Sequence, residues 1–219
     1  MTDPPGHRLL IIAGCYADAA PAIGLAEALA QDLRAALIGV LAREPAIAAA
    51  IGTTAGALVQ TAPRLRLASL ALTPEGLSAA YAADARAFSS RLSLIAARAS
   101  LHWEFRTDSG VSTELACAIR QPGDMVVLGY RRLWHAGGPV VALCRDDDLG
   151  TQELAASLAR RLGRRAMMLP LQTADPLERI EAMSATALIL APELARHPAR
   201  LRALAEAARC PVLIAPDVG

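Results

Sequence analysis

The sequence predicts an α/β protein built of two halves, each a mostly parallel sheet flanked by helices. Three observations carry this. Short continuous apolar runs recur, as in strands covered on both faces. Between them lie segments with apolar residues at i, i+4 and i+8, one stripe of a helix. The order repeats: with an ungapped offset of 129, Ala13, Cys15, Asp18, Leu25, Leu29 and Leu33 fall on Ala142, Cys144, Asp147, Leu154, Leu158 and Leu162. Alanine-rich chains match by chance, so the shared order of elements counts for more than the identities.

Arg8–Ala13 reads as the first strand, and the Leu25, Leu29, Leu33 stripe as the helix after it. Ala36–Ala42 is a second strand. Residues 43–72 are punctuated by Pro45, Gly52, Gly56 and Pro63, which predicts short helices or a mobile flap. Thr73-Pro74 is a helix cap followed by proline at the first helical position. The stripe Leu77, Tyr81, Phe88, Leu92, Ile95 makes the following helix long. Leu101–Thr107 alternates as a strand, Ser112–Arg120 is a short helix, and Asp124–Tyr130 is a buried strand.

The break at Leu133–Gly138 divides the halves, giving residues 1–137 and a shortened 138–219. In the second, Pro139–Cys144 is a strand, Thr151–Leu162 a helix and Ala166–Leu171 a strand. Asp175-Pro176-Leu177-Glu178 reads as a helix start with a reciprocal cap. Thr186–Ala191, Pro198–Ala208 and Cys210–Ala215 complete it as strand, helix and strand. Strands alternating with helices imply right-handed crossovers and parallel pairing. The first half lacks a closing helix and strand. The second skips a helix and a strand after its second strand. The halves are therefore expected to pack as one asymmetric unit.

Composition narrows the function. The 219 residues are 54% hydrophobic and 20% charged, too apolar for a disordered chain. Basic and acidic residues number 22 and 21, so no net charge draws the chain to nucleic acid or an anionic membrane. An aromatic content of 3% is too low for base-stacking platforms. Every basic residue is Arg, which excludes a Walker lysine, a Schiff base or a Ser–Lys pair. Cys15, Cys117, Cys144 and Cys210 are scattered and form no zinc spacing with the four histidines. They fit reduced, cytoplasmic thiols. Ile12-Ala13-Gly14-Cys15 is similar to a lipoprotein cleavage box, but its apolar stretch is short and an acidic, proline-bearing leader precedes it. No apolar run is long enough to span a bilayer.

Several strings in order resemble the universal stress protein family in its tandem form. Ser109-Gly110-Val111-Ser112-Thr113-Glu114-Leu115 is similar to the family's G-x-P-x-x-x-L helix start, with Ser112 in place of proline. Asp124-Met125-Val126-Val127-Leu128-Gly129 resembles its fourth strand, and Cys210-Pro211-Val212-Leu213-Ile214 its final one. The resemblance covers most of the chain. It implies Rossmann-like, adenine-nucleotide-hydrolase-like halves and a stress-response or signalling role. Nucleotide-binding members carry an acid at the end of the first strand, where this chain has Gly14. They also carry a glycine-rich loop after the fourth strand, whose amides wrap phosphates. Here Gly129 is followed by Tyr130-Arg131-Arg132, and the second half has Ala191-Pro192-Glu193. Neither half keeps an intact phosphate loop.

The candidate ligand residues are Gly14, Cys15, Gly129, Arg131, Arg132 and Asp146. Arg131 and Arg132, beside Trp134 and His135, lie past a strand's C-terminal end, where open α/β sheets bind ligands. They read as an anion contact or as a solvated linker. Asp146, Asp147 and Asp148 read as Mg²⁺ ligands or as a cap for the next helix. Cys15 and Cys144 end equivalent strands in the ungapped alignment, and a thiol at a helix N-terminus can have a lowered pKa. Arg160, Arg161, Arg164 and Arg165 form the one basic cluster, at a helix C-terminus where cations complement the dipole.

These readings predict a regulatory protein that does not bind ATP and acts through protein contacts, self-association or an unknown small ligand. No cofactor or metal is expected, no catalytic residue is identified, and an enzyme is disfavoured because no nucleophile–base pair is legible. Two alternatives remain: an ATP- or AMP-binding regulator with a rearranged loop around Gly129–Arg132, and a thiol-based redox protein using Cys15.

Overall fold

In the computed structural model, which describes residues 7–33, 35–47, 49, 74–130 and 137–217, the apolar runs become strands and the striped segments helices. The order is β1 (Arg8–Ala13), α1 (Tyr16–Leu33), β2 (Ala36–Arg43), α2 (Pro74–Ala99), β3 (Trp103–Ser109), α3 (Ser112–Ile119), β4 (Met125–Leu128), β5 (Val140–Cys144), α4 (Leu149–Arg161), β6 (Ala166–Pro170), α5 (Pro176–Ala182), β7 (Ala187–Leu190), a 3₁₀ turn (Pro192–Arg196), α6 (Pro198–Ala208) and β8 (Val212–Ile214). Of the ambiguous stretch, Pro45–Ile47 opens a helical turn, and residues 50–73, with the expected Thr73 cap, lie outside the described residues. The expected reciprocal cap on α5 does not form. Asp175 sits at φ 49 in the left-handed region and makes no side-chain bond to the helix. A capping side chain acts from an extended backbone, and here the backbone turns the carboxylate away.

The strands do not form two sheets but one, in the order β3-β2-β1-β4-β8-β7-β5-β6. Every pairing is parallel except β4 with β8, where Val126, Val127 and Leu128 face Ile214, Leu213 and Val212. The chain is thus an α/β protein with a mostly parallel sheet and helices on both faces. β8 lies beside β7 of its own half and beside β4 of the other, in the place a closing strand of the first half would take. The antiparallel junction turns one set of four strands against the other, so their C-terminal ends emerge at opposite edges.

Register defines which side chains share a face. Phe105, Gly39, Ile11, Val127, Leu213, Ile189, Ala142 and Met168 form one row across all eight strands. Above the β2 end of this row lies α2. A Cβ on Gly39 would stand 2.9 Å from Leu92 and 3.3 Å from Phe88, so glycine is what lets α2 seat. Phe88 also meets Phe105 edge-on, with ring centroids 5.3 Å apart. Helices α1, α2 and α4 pack on this face, and α3, α5 and α6 on the other.

Hydrogen bonds correct the internal alignment. The Gly129 N–H donates to the Ile12 carbonyl at 2.7 Å, and the Ala191 N–H to the Leu143 carbonyl at 3.1 Å. Ile12 therefore matches Leu143, an offset of 131 in the strands. Cys15 and Asp148 accept the first helical bonds of α1 and α4, at 3.0 and 3.2 Å, an offset of 133. Val40 and Leu169, the partners of Ile12 and Leu143, restore 129. Cys15 and Cys144 are not equivalent: Cys144 ends β5, whereas Cys15 stands outside β1 and caps α1.

One ion pair ties the start of β1 to the start of β4. The Arg8 guanidinium grips Asp124 with two of its nitrogens, Nε to Oδ1 at 2.8 Å and Nη2 to Oδ2. The Gln121 backbone N–H adds a bond at 2.7 Å. Asp124 is 3% exposed, while the Arg8 side chain reaches solvent at 28%. This asymmetry sets the expected outcome of cutting the pair. Arg8→Ala leaves a buried carboxylate without the guanidinium that pairs with it and should cost about 3–5 kcal/mol in denaturant unfolding. Asp124→Ala leaves an arginine that can turn to water and should cost less, about 2–3 kcal/mol. Equal costs would show that the carboxylate does not depend on Arg8.

Candidate functional site

The first crevice lies where β1 and β4 end, at the start of α1. Gly14 has open space: a Cβ there would meet nothing within 4 Å. Gly129, across the crevice, is closed in. A Cβ there would stand 2.7 Å from both the Ala13 Cβ and the Asp18 carbonyl oxygen. The first turn of α1 thus packs onto the end of β4, at the point where a phosphate loop would depart.

A helix N-terminus carries free N–H groups and partial positive charge, the usual draw for an anion. On α1 that position is taken from within the chain. Asp84, on α2, accepts a hydrogen bond from the Tyr16 backbone N–H. Burial pushes the Asp84 carboxyl above its usual range, the Tyr16 bond pulls it down, and nearby Asp18 raises it again. One turn earlier on α2, Tyr81 lies under the Arg43 guanidinium, 5.6 Å from the ring centroid. Burial also raises the Tyr81 hydroxyl pKa, with Glu44 adding to the shift. Among the described residues this rim carries three carboxylates, Asp18, Asp84 and Glu44, beside Arg43.

Cys15 faces the same carboxylates. Its thiol is pushed up to about 12, first by burial and then by Asp18. A redox thiol at a helix N-terminus requires the opposite shift. Cys144 is buried and raised to about 11, again chiefly by burial. All four cysteines are free thiols.

The second crevice lies at the opposite edge and is also self-capped. The Thr151 N–H donates to Asp148 Oδ1 at 3.0 Å, closing the N-terminus of α4. Arg145 forms a two-pronged exposed pair with Asp147, at 3.0 Å for each bond. Asp146 is exposed, and its backbone carbonyl accepts from Gln152 Nε2 at 2.9 Å. The acidic run therefore caps and orders a helix start. Among the described residues no group of three His, Cys, Asp or Glu is placed to hold a metal ion. After β7, Pro192 opens the 3₁₀ turn, which buries Leu194 and Ala195 where a phosphate loop would run. That turn is gripped from the first half: Arg120 donates to the Pro192 and Ala215 carbonyls at 3.2 and 3.1 Å, and Cys117 Sγ to the Ala195 carbonyl at 2.9 Å.

Of the residues singled out from sequence, Gly14, Cys15 and Gly129 come together, and Asp146 lies at the other edge. Arg131, Arg132, Trp134 and His135 lie outside the described residues. Sequence reading missed Asp84, Tyr81 and Arg43. Tyr81 and Asp84 are three apart, hence neighbours on one helix face, and a carboxylate beside a buried stripe was the available signal. A groove of about 330 Å³ opens between α5 and α6, lined by Leu177, Glu178, Arg200 and Leu204 among others. None of the candidate ligand residues lines it.

Fold and site together define a doubly wound α/β protein in which the helix starts after β1 and β5 are met by the chain's own carboxylates. No protein-family model matches the chain, and no curated protein matches its sequence. Among solved structures it is similar to the cytoplasmic domain of a prokaryotic cation chloride cotransporter, at 12% identity and a TM-score of 0.40, over 96% of this chain and 95% of that one. No helix among the described residues is long and apolar enough to cross a membrane.

The raised Cys15 thiol sets its reactivity. With a pKa near 12 in place of 9.0, its thiolate fraction at pH 8 falls about a thousandfold. Iodoacetamide at pH 8 should therefore label Cys15 readily in urea and hardly at all in the native protein, as peptide mass spectrometry would show. Rapid native labelling would restore the redox reading.

Proposed function

We propose that this chain is a tandem, stress-protein-like regulatory module that holds no nucleotide and works by protein–protein contact. One observation carries the reading: the helix N-termini that follow β1 and β5, where the two crevices lie, already hold a carboxylate from the chain itself, Asp84 on α1 and Asp148 on α4. A triphosphate brought to either place would have to displace a tethered carboxylate and then meet further acids, Asp18 on one side and Asp146 on the other. The closed contact of Gly129 with Asp18 and the 3₁₀ turn after β7 support the same reading, because each fills with protein the volume that phosphates need. What supports a non-enzymatic role is the placement of the reactive groups: among the described residues, burial and the carboxylates Asp18 and Asp84 raise the Cys15 thiol and so disfavour the nucleophilic thiolate.

A ligand that binds the folded state raises its stability by about 2.7 kcal/mol at a hundred times its Kd. Titration with ATP and Mg²⁺ to millimolar concentration should leave the melting temperature unchanged. The purified protein, once denatured, should release no adenine nucleotide detectable by mass spectrometry. Stoichiometric nucleotide, or a saturating thermal shift, would replace the contact reading with the nucleotide-binding alternative.

A further inference from the structure

The two halves treat the same face of the sheet differently. In the first, α2 lies over β2 and leads into β3. The helix is seated on Gly39 by Phe88 and Leu92 and fastened to α1 by Glu27, which pairs with Arg91 and Arg98 at 3.3 Å each. In the second half no helix and strand come between β6 and α5. Met168 stands at the position of Gly39, in the same row and on the same face, and is 43% exposed. Ala166 and Pro170 share that face with it, by strand alternation.

The charges are inverted as well. Helices α1 and α4 align by their capping residues, and this places buried Ala22, Leu25 and Ala26 on buried Ala155, Leu158 and Ala159. In that alignment Glu27 falls on Arg160. Arg160 is exposed, and Arg164 and Arg165 follow it in the turn that leads into β6. Where the first half offers a carboxylate to two arginines, the second offers arginines.

We propose that the face over β6 docks an amphipathic helix of a partner protein, taking the place that α2 takes in the first half. The inverted charge defines the occupant: its inner edge carries carboxylates, facing Arg160 and Arg164, where α2 carries Arg91 and Arg98. Met168 fills the recess that Gly39 leaves open, so the occupant presents a small residue where α2 presents Phe88. Arginine at α2's own positions excludes α2 of a second copy by like-charge repulsion. The proposal rests on the contact reading and gives it a surface.

The probe follows from the internal comparison: a stapled 26-residue peptide of the α2 sequence carrying F88A, R91E and R98E, against a control carrying F88A alone. The full-length protein is labelled at its methionine methyl groups and titrated by NMR. The acidic peptide should shift the Met168 methyl resonance saturably and bind at least about tenfold more tightly than the control. Met168→Asp, and Arg160→Glu combined with Arg164→Glu, should each abolish that shift while leaving the melting temperature unchanged. Equal binding of both peptides, or no Met168 shift with either, overturns the proposal. So does a Met168 shift that appears on concentrating the free protein, which would assign the face to a second copy. A larger shift with polyuridylic acid or phosphatidylserine vesicles overturns it too, in favour of a general anion surface. Nucleotide release is measured separately: an unmoved Met168 with no nucleotide bound removes this surface alone, whereas bound nucleotide removes the contact reading beneath it.

Discussion

The pairing of β4 with β8 is the constraint on which the rest depends. β4 is buried along its whole length, with Val126 and Val127 fully covered, and it cannot stand as a sheet edge. Among the described residues the first half supplies no closing strand to cover it. β8 covers it from the second half, with Val212, Leu213 and Ile214 equally buried. A strand arriving from the other half runs antiparallel, and this reversal dictates the architecture. It sends the two sets of strand ends to opposite edges and makes two separate crevices. It also sets α3 against the 3₁₀ turn and α6, where Arg120 and Cys117 bond across the halves. Separating the halves would open the β4 edge and leave these donors unpaired, so the sheet behaves as one body.

Within that frame the chemistry of each crevice is decided by how its helix start is satisfied. The free N–H groups of a helix must find acceptors, and an open α/β crevice ordinarily offers them to a ligand. Here the acceptor is already present. Asp148 lies next to the helix it caps, whereas Asp84 comes from α2, a helix that reaches the crevice because Gly39 lets it settle on β2. Packing in the middle of the sheet thus places a charge at its edge. In the first crevice burial, then Asp18 and more weakly Asp84, raise the Cys15 thiol, so the carboxylates that disfavour phosphate there also disfavour thiolate.

Much of this was legible in the residues. Continuous apolar runs such as Arg8–Ala13 located the strands because both faces of this sheet are covered. The break after β7 was legible at Pro192, which has no N–H to give and opens a 3₁₀ turn there. What was not legible was register. Helical offsets of 129 and 133 differ by four residues, close to one turn, and an alanine-rich stripe fits either. Only the hydrogen bonds of Gly129 and Ala191 decide the strands, and they separate Cys15 from Cys144. Asp84 was invisible for a related reason: the chain between β2 and α2 is long, and sequence does not tell where on the sheet a helix comes to rest. The cap of α5 failed because a pattern of residue types cannot announce that Asp175 will sit in the left-handed region.

The row from Phe105 to Met168 shows what the missing elements cost the second half. At one end a glycine is enforced by the close approach of Leu92 and Phe88, and the row is sealed. At the other a large apolar side chain stands at an edge strand of only five residues. Such an edge invites association, and two features restrain it. The bonds from Val140 to Arg165 and from Leu171 to Cys144 fix the register, so Ala166, Met168 and Pro170 turn their backbone groups outward. Pro170 has no N–H to offer there, which shortens the ladder that a strange strand could build. The arginines ahead of β6 add like-charge repulsion against any basic neighbour. What remains open is therefore not the backbone edge but the face beside it, where apolar area and positive charge lie together. A surface protected against strands and left accessible to a helix of opposite charge is selective in its physics, whatever its sequence relatives.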